Sequence, residues 1–345
     1  MSFEVLARLV AAALREPSHE AVDFMWHGGE PTLLPIRFYE KALYLEARFR
    51  RPGQLVANRM QTNGTRVTGE WVRFWRANDF SIGLSLDGPP ELHDLSRPDA
   101  GGRGTSGLVT DALHRLEDGG VPFTVLVVLD EPALILGAER FLAWLVERRI
   151  RRVALLAAHP KPGARADPGV RPAGYPERRR VTEFLAALYD RWLEHGDAGI
   201  WIRELASLRS RIEGERPAVC TMAGGCLGSF FQIEPGGAIS HCGYFAGDTD
   251  HALGHIATSN FGEIAHGEAL GRLREAEALR LDRLRGCPEF SVCRGYCPHE
   301  RYLAGRFDPG TTEGCCGLAP LIRHVRERKA AMGNACPENG AGWAG

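Results

Sequence analysis

The first two hundred residues alternate short apolar runs with amphipathic stretches, a pattern that predicts parallel strands joined by crossover helices. Strands are predicted over 21–26, 57–61, 80–86, 122–129 and 152–158, and helices over 36–49, 68–78, 106–116, 138–146 and 180–195. In 68–78 the apolar stripe is Trp71, Phe74 and Trp75; in 106–116 it is Val109, Ala112, Leu113 and Leu116. The run 122–129 is almost entirely apolar, as in a strand covered on both faces. Five strand-then-helix units result. A helix over 2–14 precedes them, and its Leu6, Leu9, Val10, Ala13 and Leu14 require a sheet to cover.

Beyond the last strand, a Pro/Gly/Arg-rich stretch over 160–179 predicts a loop of the kind that borders a substrate. An amphipathic segment follows over 200–212. Further on, apolar runs at 230–233 and 239–242 flank Pro235-Gly236-Gly237 and predict a tight hairpin. The small, Gly-rich residues after about 329 predict a frayed tail. No internal repeat is present.

Composition narrows the function classes. Forty-two basic against forty-three acidic residues leave a formal charge of −1, so no global field favours a nucleic acid or an acidic membrane. Arg148, Arg149, Arg151, Arg152 and Arg178–Arg180 are expected on solvated surfaces. No apolar stretch reaches the ~18 residues of a membrane span, and neither a charged leader nor a small-residue cleavage site opens the chain, so the expected location is cytoplasmic. All nine cysteines lie between Cys220 and Cys336. In a reducing compartment stable disulfides are disfavoured, which leaves metal or cluster ligation as the reason for such confinement.

The strand ends carry the polar and turn-forming residues: His27-Gly28-Gly29-Glu30-Pro31, Gln61-Thr62-Asn63-Gly64, Ser85-Leu86-Asp87-Gly88 and Ala157-Ala158-His159. In an α/β barrel the C-terminal strand ends share one mouth, so these segments mark the candidate active site. The cysteine spacing is Cys220-x5-Cys226-x15-Cys242, then Cys287-x5-Cys293-x3-Cys297, then Cys315-Cys316. Eight thiols suit two four-ligand sites, holding either iron–sulfur clusters or zinc. Zinc ribbons use two short Cys-x2-4-Cys knuckles, and only Cys293-x3-Cys297 fits that form.

Taken together, Trp26-His27-Gly28-Gly29-Glu30-Pro31-Thr32, Gln61-Thr62-Asn63-Gly64-Thr65, Gly83-Leu84-Ser85-Leu86-Asp87-Gly88-Pro89 with His93-Asp94 and Arg97, and Cys297-Pro298-His299-Glu300-Arg301 resemble radical S-adenosylmethionine (SAM) enzymes with a SPASM domain. The likeness is strongest to the anaerobic sulfatase-maturating branch and its peptide-modifying relatives. The fold class it implies is α/β: a partial (β/α)6 radical SAM barrel missing its first strand, then a small cysteine-rich α+β SPASM domain. The expected domains are an incomplete barrel over 1–200, a connector over 201–214, a SPASM iron–sulfur domain over 215–329 and a flexible tail over 330–345. By the same resemblance Gly28, Gly29 and Glu30 meet the methionine amino group of SAM, and Asn63 and Ser85 line that pocket. Cys220, Cys226, Cys242 and Cys297 would hold a first auxiliary 4Fe-4S cluster, and Cys287, Cys293 and Cys316 a second. Cys316 is preferred to Cys315 because it stands directly before the apolar run 318–325.

Three departures qualify that resemblance. No cysteine precedes Cys220, so the Cys-x3-Cys-x2-Cys loop that holds the radical cluster is absent, and with it the strand that bears the loop. A late start or truncated gene accounts for losing both together better than a pseudoenzyme does. Leu284 stands where a further cluster cysteine is usual, and Gly243 stands where the sulfatase-maturating branch has an Asp base. The catalytic base is therefore unassigned, with Tyr244, His241 and His299 as nearby titratable groups and His241 expected on a strand surface. The function implied is oxidation of a peptide or protein side chain by hydrogen-atom abstraction, with an auxiliary cluster removing the second electron. Flavodoxin or ferredoxin is the expected electron donor. The alternatives are a non-catalytic peptide-binding module and a zinc-stabilised scaffold.

Overall fold

The computed structural model describes residues 1–160, 170–172, 174–196, 199–308 and 317–332. Its elements run α1 (Phe3–Arg15), β1 (Ala21–Trp26), α2 (Ile36–Phe49), β2 (Leu55–Thr62), α3 (Gly69–Ala77), β3 (Ser81–Ser85), α4 (Pro90–Ser96) and α5 (Ser106–Asp118). Then come β4 (Phe123–Leu129), α6 (Glu131–Leu136), α7 (Ala138–Glu147), β5 (Arg152–Ala157), α8 (Arg178–His195), β6 (Trp201–Ile202) and α9 (Arg203–Ile212). The cysteine-rich part adds α10 (Cys220–Ala223), β7 (Gln232–Ile233), β8 (Ala238–Ser240), β9 (Ala252–His255), α11 (Phe261–His266), α12 (Glu268–Leu284), α13 (Phe290–Cys293), α14 (Pro298–Phe307) and α15 (Ala319–Met332).

Strands β1 to β6 form a six-stranded parallel sheet in sequence order. Five of them match the predicted strands to within two residues at each end. The sixth, two residues long, is too short to show any alternation. No described helix is long and apolar enough to cross a membrane.

The chain divides into two compact units. The first comprises Met1–Gly83, Ala112–Pro122 and Gly225–Arg280; the second comprises the described residues of Leu84–Asp111, Phe123–Gly224 and Leu281–Gly345. In the first unit, the Ser2 hydroxyl accepts from Val5 N at 3.2 Å and caps α1. The apolar stripe of that helix is covered as expected: Leu6, Val10 and Leu14 are fully buried with Phe24 of β1, Ala42 and Leu45 of α2, Ile239 of β8 and Phe261 of α11. Each such side chain contributes roughly 1.5–3 kcal/mol by leaving water. The hairpin also forms, with Gln232 opposite Ser240 and Ile233 opposite Ile239, though its strands are shorter than the runs 230–233 and 239–242. Its turn needs glycine at 237, where φ is +104° and a Cβ would meet His255 Cε1 at 2.8 Å.

The second unit packs α7 and α15 on α8, whose Leu188 and Tyr189 are fully buried. β4 and β5 pair from Val125 opposite Val153 to Leu129 opposite Ala157. One expectation is overturned here. Arg178, read as part of a solvated basic run, is 7% exposed in the first turn of α8, while Arg179 beside it is exposed. A buried guanidinium requires a carboxylate, and Arg178 has one, described below.

A buried polar chain in the first unit sets a pH dependence. Trp26 Nε1 donates to Asn58 Oδ1 at 2.8 Å, and Asn58 Nδ2 donates to Glu46 Oε2 at 2.8 Å. Glu46 is 5% exposed, and burial raises its carboxyl to about 7, with the Asn58 bond opposing the rise. Between the unfolded value of 4.5 and about 7 the folded chain holds a proton that the unfolded chain has released. The stabilisation is therefore complete below pH 4.5 and is lost as pH rises through 7. About 3 kcal/mol should disappear over that range, read by denaturant unfolding at pH 5 and pH 8. Glu46→Gln, which keeps an acceptor for Asn58 but cannot ionise, should remove most of that difference; an unchanged pH dependence would refute the assignment.

Candidate active site and cysteine centre

The loop after β1 turns through Gly28 (φ +85°) and Gly29 (φ +51°). A Cβ at either position would meet no atom within 4 Å, so backbone conformation rather than crowding selects glycine there. The turn delivers Glu30 to the end of β2. Its Oε1 accepts from Thr32 N at 3.0 Å, Thr32 Oγ1 at 2.6 Å and Thr62 Oγ1 at 2.7 Å, and its Oε2 accepts from Asn63 N at 2.7 Å. Every one of these donors is neutral, and among the described residues no Arg or Lys pairs with the carboxylate. A carboxylate has about four acceptor positions in its plane, two on each oxygen. Oε1 is saturated, whereas Oε2 retains an acceptor direction and the group keeps its net negative charge. The site thus fits an ammonium donor such as the amino group of SAM. Asn63 contributes its backbone N–H; its side-chain Oδ1 closes an Asx-turn, accepting from Thr65 N at 3.0 Å and Thr65 Oγ1 at 2.8 Å.

Ser85, in the second unit, is buried at the end of β3. The loop beyond it is fixed by His93, which is fully buried on α4. Asp87 N donates to His93 Nδ1 at 3.1 Å, so that nitrogen carries no proton. His93 Nε2–H must then donate to Thr105 Oγ1, at 3.1 Å, whose hydroxyl donates to Arg97 O at 2.7 Å. Burial lowers the His93 pKa and keeps the ring in this neutral tautomer. Asp87 in turn accepts from Val128 N at 2.8 Å and pairs with Arg97 Nε at 2.5 Å. The residues His93, Asp94 and Arg97 that accompany the Ser-Leu-Asp-Gly segment therefore build its loop.

At the end of β5, His159 meets the segment that follows Cys297. His159 Nε2 bonds Glu300 Oε1 at 2.6 Å, and Arg178 pairs with Glu300 Oε2. Burial pushes the Glu300 carboxyl up, but the His159 bond and the Arg178 charge outweigh it and hold the group at about 2. The His299 ring lies edge-on to His159, with centroids 4.9 Å apart. His159 was legible as a strand-end residue, but its partners were not: Arg178 lies 122 positions from Glu300 in the chain.

Six of the nine cysteines fall within the described residues, all as free thiols: Cys220, Cys226, Cys242, Cys287, Cys293 and Cys297. Cys315, Cys316 and Cys336 lie outside them. Cys226 and Cys242 belong to the first unit, and the other four to the second. Cys220 and Cys297 act on one another electrostatically, and burial raises the Cys297 thiol to about 12. A thiol so placed is a poor free nucleophile and needs a metal to become a thiolate. Free thiols fit the donor chemistry of a cluster, although among the described residues no group of three or more His, Cys, Asp or Glu converges closely enough to hold a metal ion. A radical cluster is a different matter. With no cysteine before Cys220, the residues of this chain do not fit one.

His241 departs from expectation. It is 3% exposed, not on a strand surface, because it packs against the stacked rings of Phe245 and His251, at separations of 5.0 and 5.4 Å. Burial, with the nearby His251, lowers its pKa to about 4. Tyr244 is half exposed.

No protein-family model matches the chain. The serine-type anaerobic sulfatase-maturating enzyme of Bacteroides thetaiotaomicron is 29% identical over 363 aligned residues, covering 98% of this chain and 85% of that enzyme. The cysteine-type anaerobic sulfatase-maturating enzyme of Clostridium novyi is 26% identical over 317 residues, covering 91% of this chain and 82% of its own. Native anSMEcpe with bound AdoMet and Kp18Cys peptide superimposes with a TM-score of 0.80 at 25% identity, over 95% of this chain and 88% of that one. Streptococcus suis SuiB superimposes at 0.55 with 14% identity, over 90% of this chain and 70% of its own, a likeness of fold alone. Over nearly its whole length the chain is thus similar to anaerobic sulfatase-maturating enzymes, in sequence and in fold.

Proposed function

We propose that this chain binds SAM at the Glu30 cradle and serves the oxidative modification of a peptide or protein side chain. The observation that carries the reading is the Glu30 carboxylate: held by four neutral donors, unpaired with any described Arg or Lys, and open at Oε2. Glu30 takes the SAM ammonium, and the bare backbone of Gly28 and Gly29 lets the methionine end approach. Thr32, Thr62 and the Asn63 backbone keep the carboxylate aimed. The likeness to an enzyme solved with both AdoMet and a peptide supports the substrate class.

The cysteines of the second half of the chain are the proposed thiolate donors to auxiliary iron–sulfur groups. A thiolate-held iron–sulfur group supplies one-electron transfer. A small electron carrier such as flavodoxin or ferredoxin is the redox partner. Because the chain does not fit a radical cluster, no step here runs through one. Gly243 cannot serve as the base that follows Cys242, and the proton acceptor stays unassigned.

Two measurements test this reading. Anaerobic titration calorimetry should show SAM binding that Glu30→Gln weakens by about 10- to 100-fold, as expected for loss of a charge-assisted hydrogen bond. Equal affinity in the two proteins would remove Glu30 from the site. Anaerobically prepared protein should also contain iron and acid-labile sulfide, and Cys297→Ser should lower both; zinc in place of iron would make the cysteine region a structural scaffold.

A further inference from the structure

Between the end of β1 and Glu30 the loop carries a single titratable side chain, His27. Its Nδ1 accepts the Gly28 N–H at 2.6 Å, so the ring proton sits on Nε2. That bond bears on the turn that delivers Glu30. Gly28 and Gly29 are both left-handed, and the space beside each is empty, so the turn relies on hydrogen bonds more than on packing. His27 keeps a face to solvent, while the part of the ring that the loop covers disfavours the charged form and lowers its pKa below the ordinary 6.5; Glu30 opposes that shift. Glu30 is the charge that acts on the ring. The groups that surround the carboxylate, Thr32 of the turn Pro31–Leu33 and Thr62 and Asn63 at the end of β2, are neutral. Tyr39 of α2 donates its hydroxyl to Pro31 O at 2.8 Å, and burial together with Glu30 raises its pKa, so it too stays uncharged.

Resting on the reading of Glu30 as the ammonium site, we propose that His27 is a positioning residue that makes the site sensitive to acid: a proton on the His27 ring and a ligand ammonium at Glu30 compete. Two consequences of protonation act in the same direction. An imidazolium has donors at both nitrogens and no acceptor, so the bond from Gly28 N–H is lost and the turn in front of Glu30 loosens. The new positive charge also lies within electrostatic reach of Glu30, where it offsets the negative charge that the ligand requires and repels the ammonium. Ligand binding therefore favours the neutral ring. Because the His27 pKa already lies below 6.5, affinity is full at neutral pH and falls as the pH drops through that lowered value. By reciprocity the bound ligand lowers the His27 pKa further.

The test is SAM titration calorimetry on the full chain between pH 7.0 and pH 5.0, a range in which an α-amino group stays largely protonated. Wild type is compared with His27→Asn, whose amide oxygen can replace Nδ1 as the acceptor for Gly28 N–H but cannot ionise. Both proteins keep Glu30, so any titration of that carboxylate is common to them. Over this range wild-type affinity should fall roughly 3-fold more than that of His27→Asn. Histidine-labelled protein followed by nuclear magnetic resonance, with the His27 signals identified by their loss in the variant, should show the Nε2–H tautomer and a pKa that drops when SAM is added. A merely structural role for His27 would change affinity equally at every pH, and parallel profiles for the two proteins overturn the proposal. A wild-type affinity that rises toward low pH overturns it as well, since the imidazolium would then be attracting the carboxylate of the ligand. His27→Gln, equally unable to ionise, takes the place of the Asn variant should that protein not fold. Wild-type protein that binds no SAM at pH 7.0 would instead overturn the reading of the Glu30 cradle itself.

Discussion

A carboxylate held only by neutral donors keeps its charge, and at Glu30 that constraint organises the candidate site. Four hydrogen bonds from Thr32, Thr62 and Asn63 hold the group at the ends of β1 and β2. None of them neutralises it. The surrounding sequence follows from this: two left-handed glycines to bring the chain round, a proline to start the next short turn, and hydroxyls at 32 and 62. Further back, Trp26, Asn58 and Glu46 form a buried polar chain that fixes the strand from which the turn departs. That chain is a costly way to fix a strand, since it leaves a carboxyl in apolar surroundings that favour its protonated form.

The second unit uses carboxylates differently. Asp87 pairs with Arg97 and Glu300 with Arg178, so each charge is balanced locally and spent on fixing backbone. Asp87 ties the loop after β3 to Val128 of β4, with the neutral His93 ring beneath it. Glu300 ties the residues after Cys297 to α8 and β5. Both networks join segments far apart in sequence, and removing one partner would strand the other charge in a poorly hydrated place, a loss typically of about 3–5 kcal/mol.

Much of the sheet was legible because its signal is local. A strand such as Phe123–Leu129 shows as a run of seven apolar or β-favouring residues, and α2 matches the amphipathic stretch 36–49. Short elements carry too few residues to display a period, which is why β6 and α4 went unread. Arg178 was misread for a related reason. In sequence it is one of three arginines, and nothing local separates it from its exposed neighbour; burial is decided by Glu300, more than a hundred residues away. His241 was misread likewise, since the stacked rings it packs against, Phe245 and His251, come from the following loop. The motif residues fared better because their hydrogen bonds are mostly to near neighbours. The Asn63 side chain, however, is committed to an Asx-turn, and spacing alone could not show that its backbone is what faces Glu30.

The contrast between paired and unpaired carboxylates separates scaffold from site on physical grounds. An Arg–carboxylate pair brings its own counter-charge, so a cationic ligand arriving there must displace the guanidinium and gains little. A carboxylate aimed by neutral donors, with no cation beside it, has an unmet electrostatic demand that a ligand ammonium can satisfy without disturbing the fold. Glu30 is of the second kind, and Asp87 and Glu300 are of the first. By that criterion Glu30 suits a small cationic ligand, and Asp87 and Glu300 suit fixing the backbone.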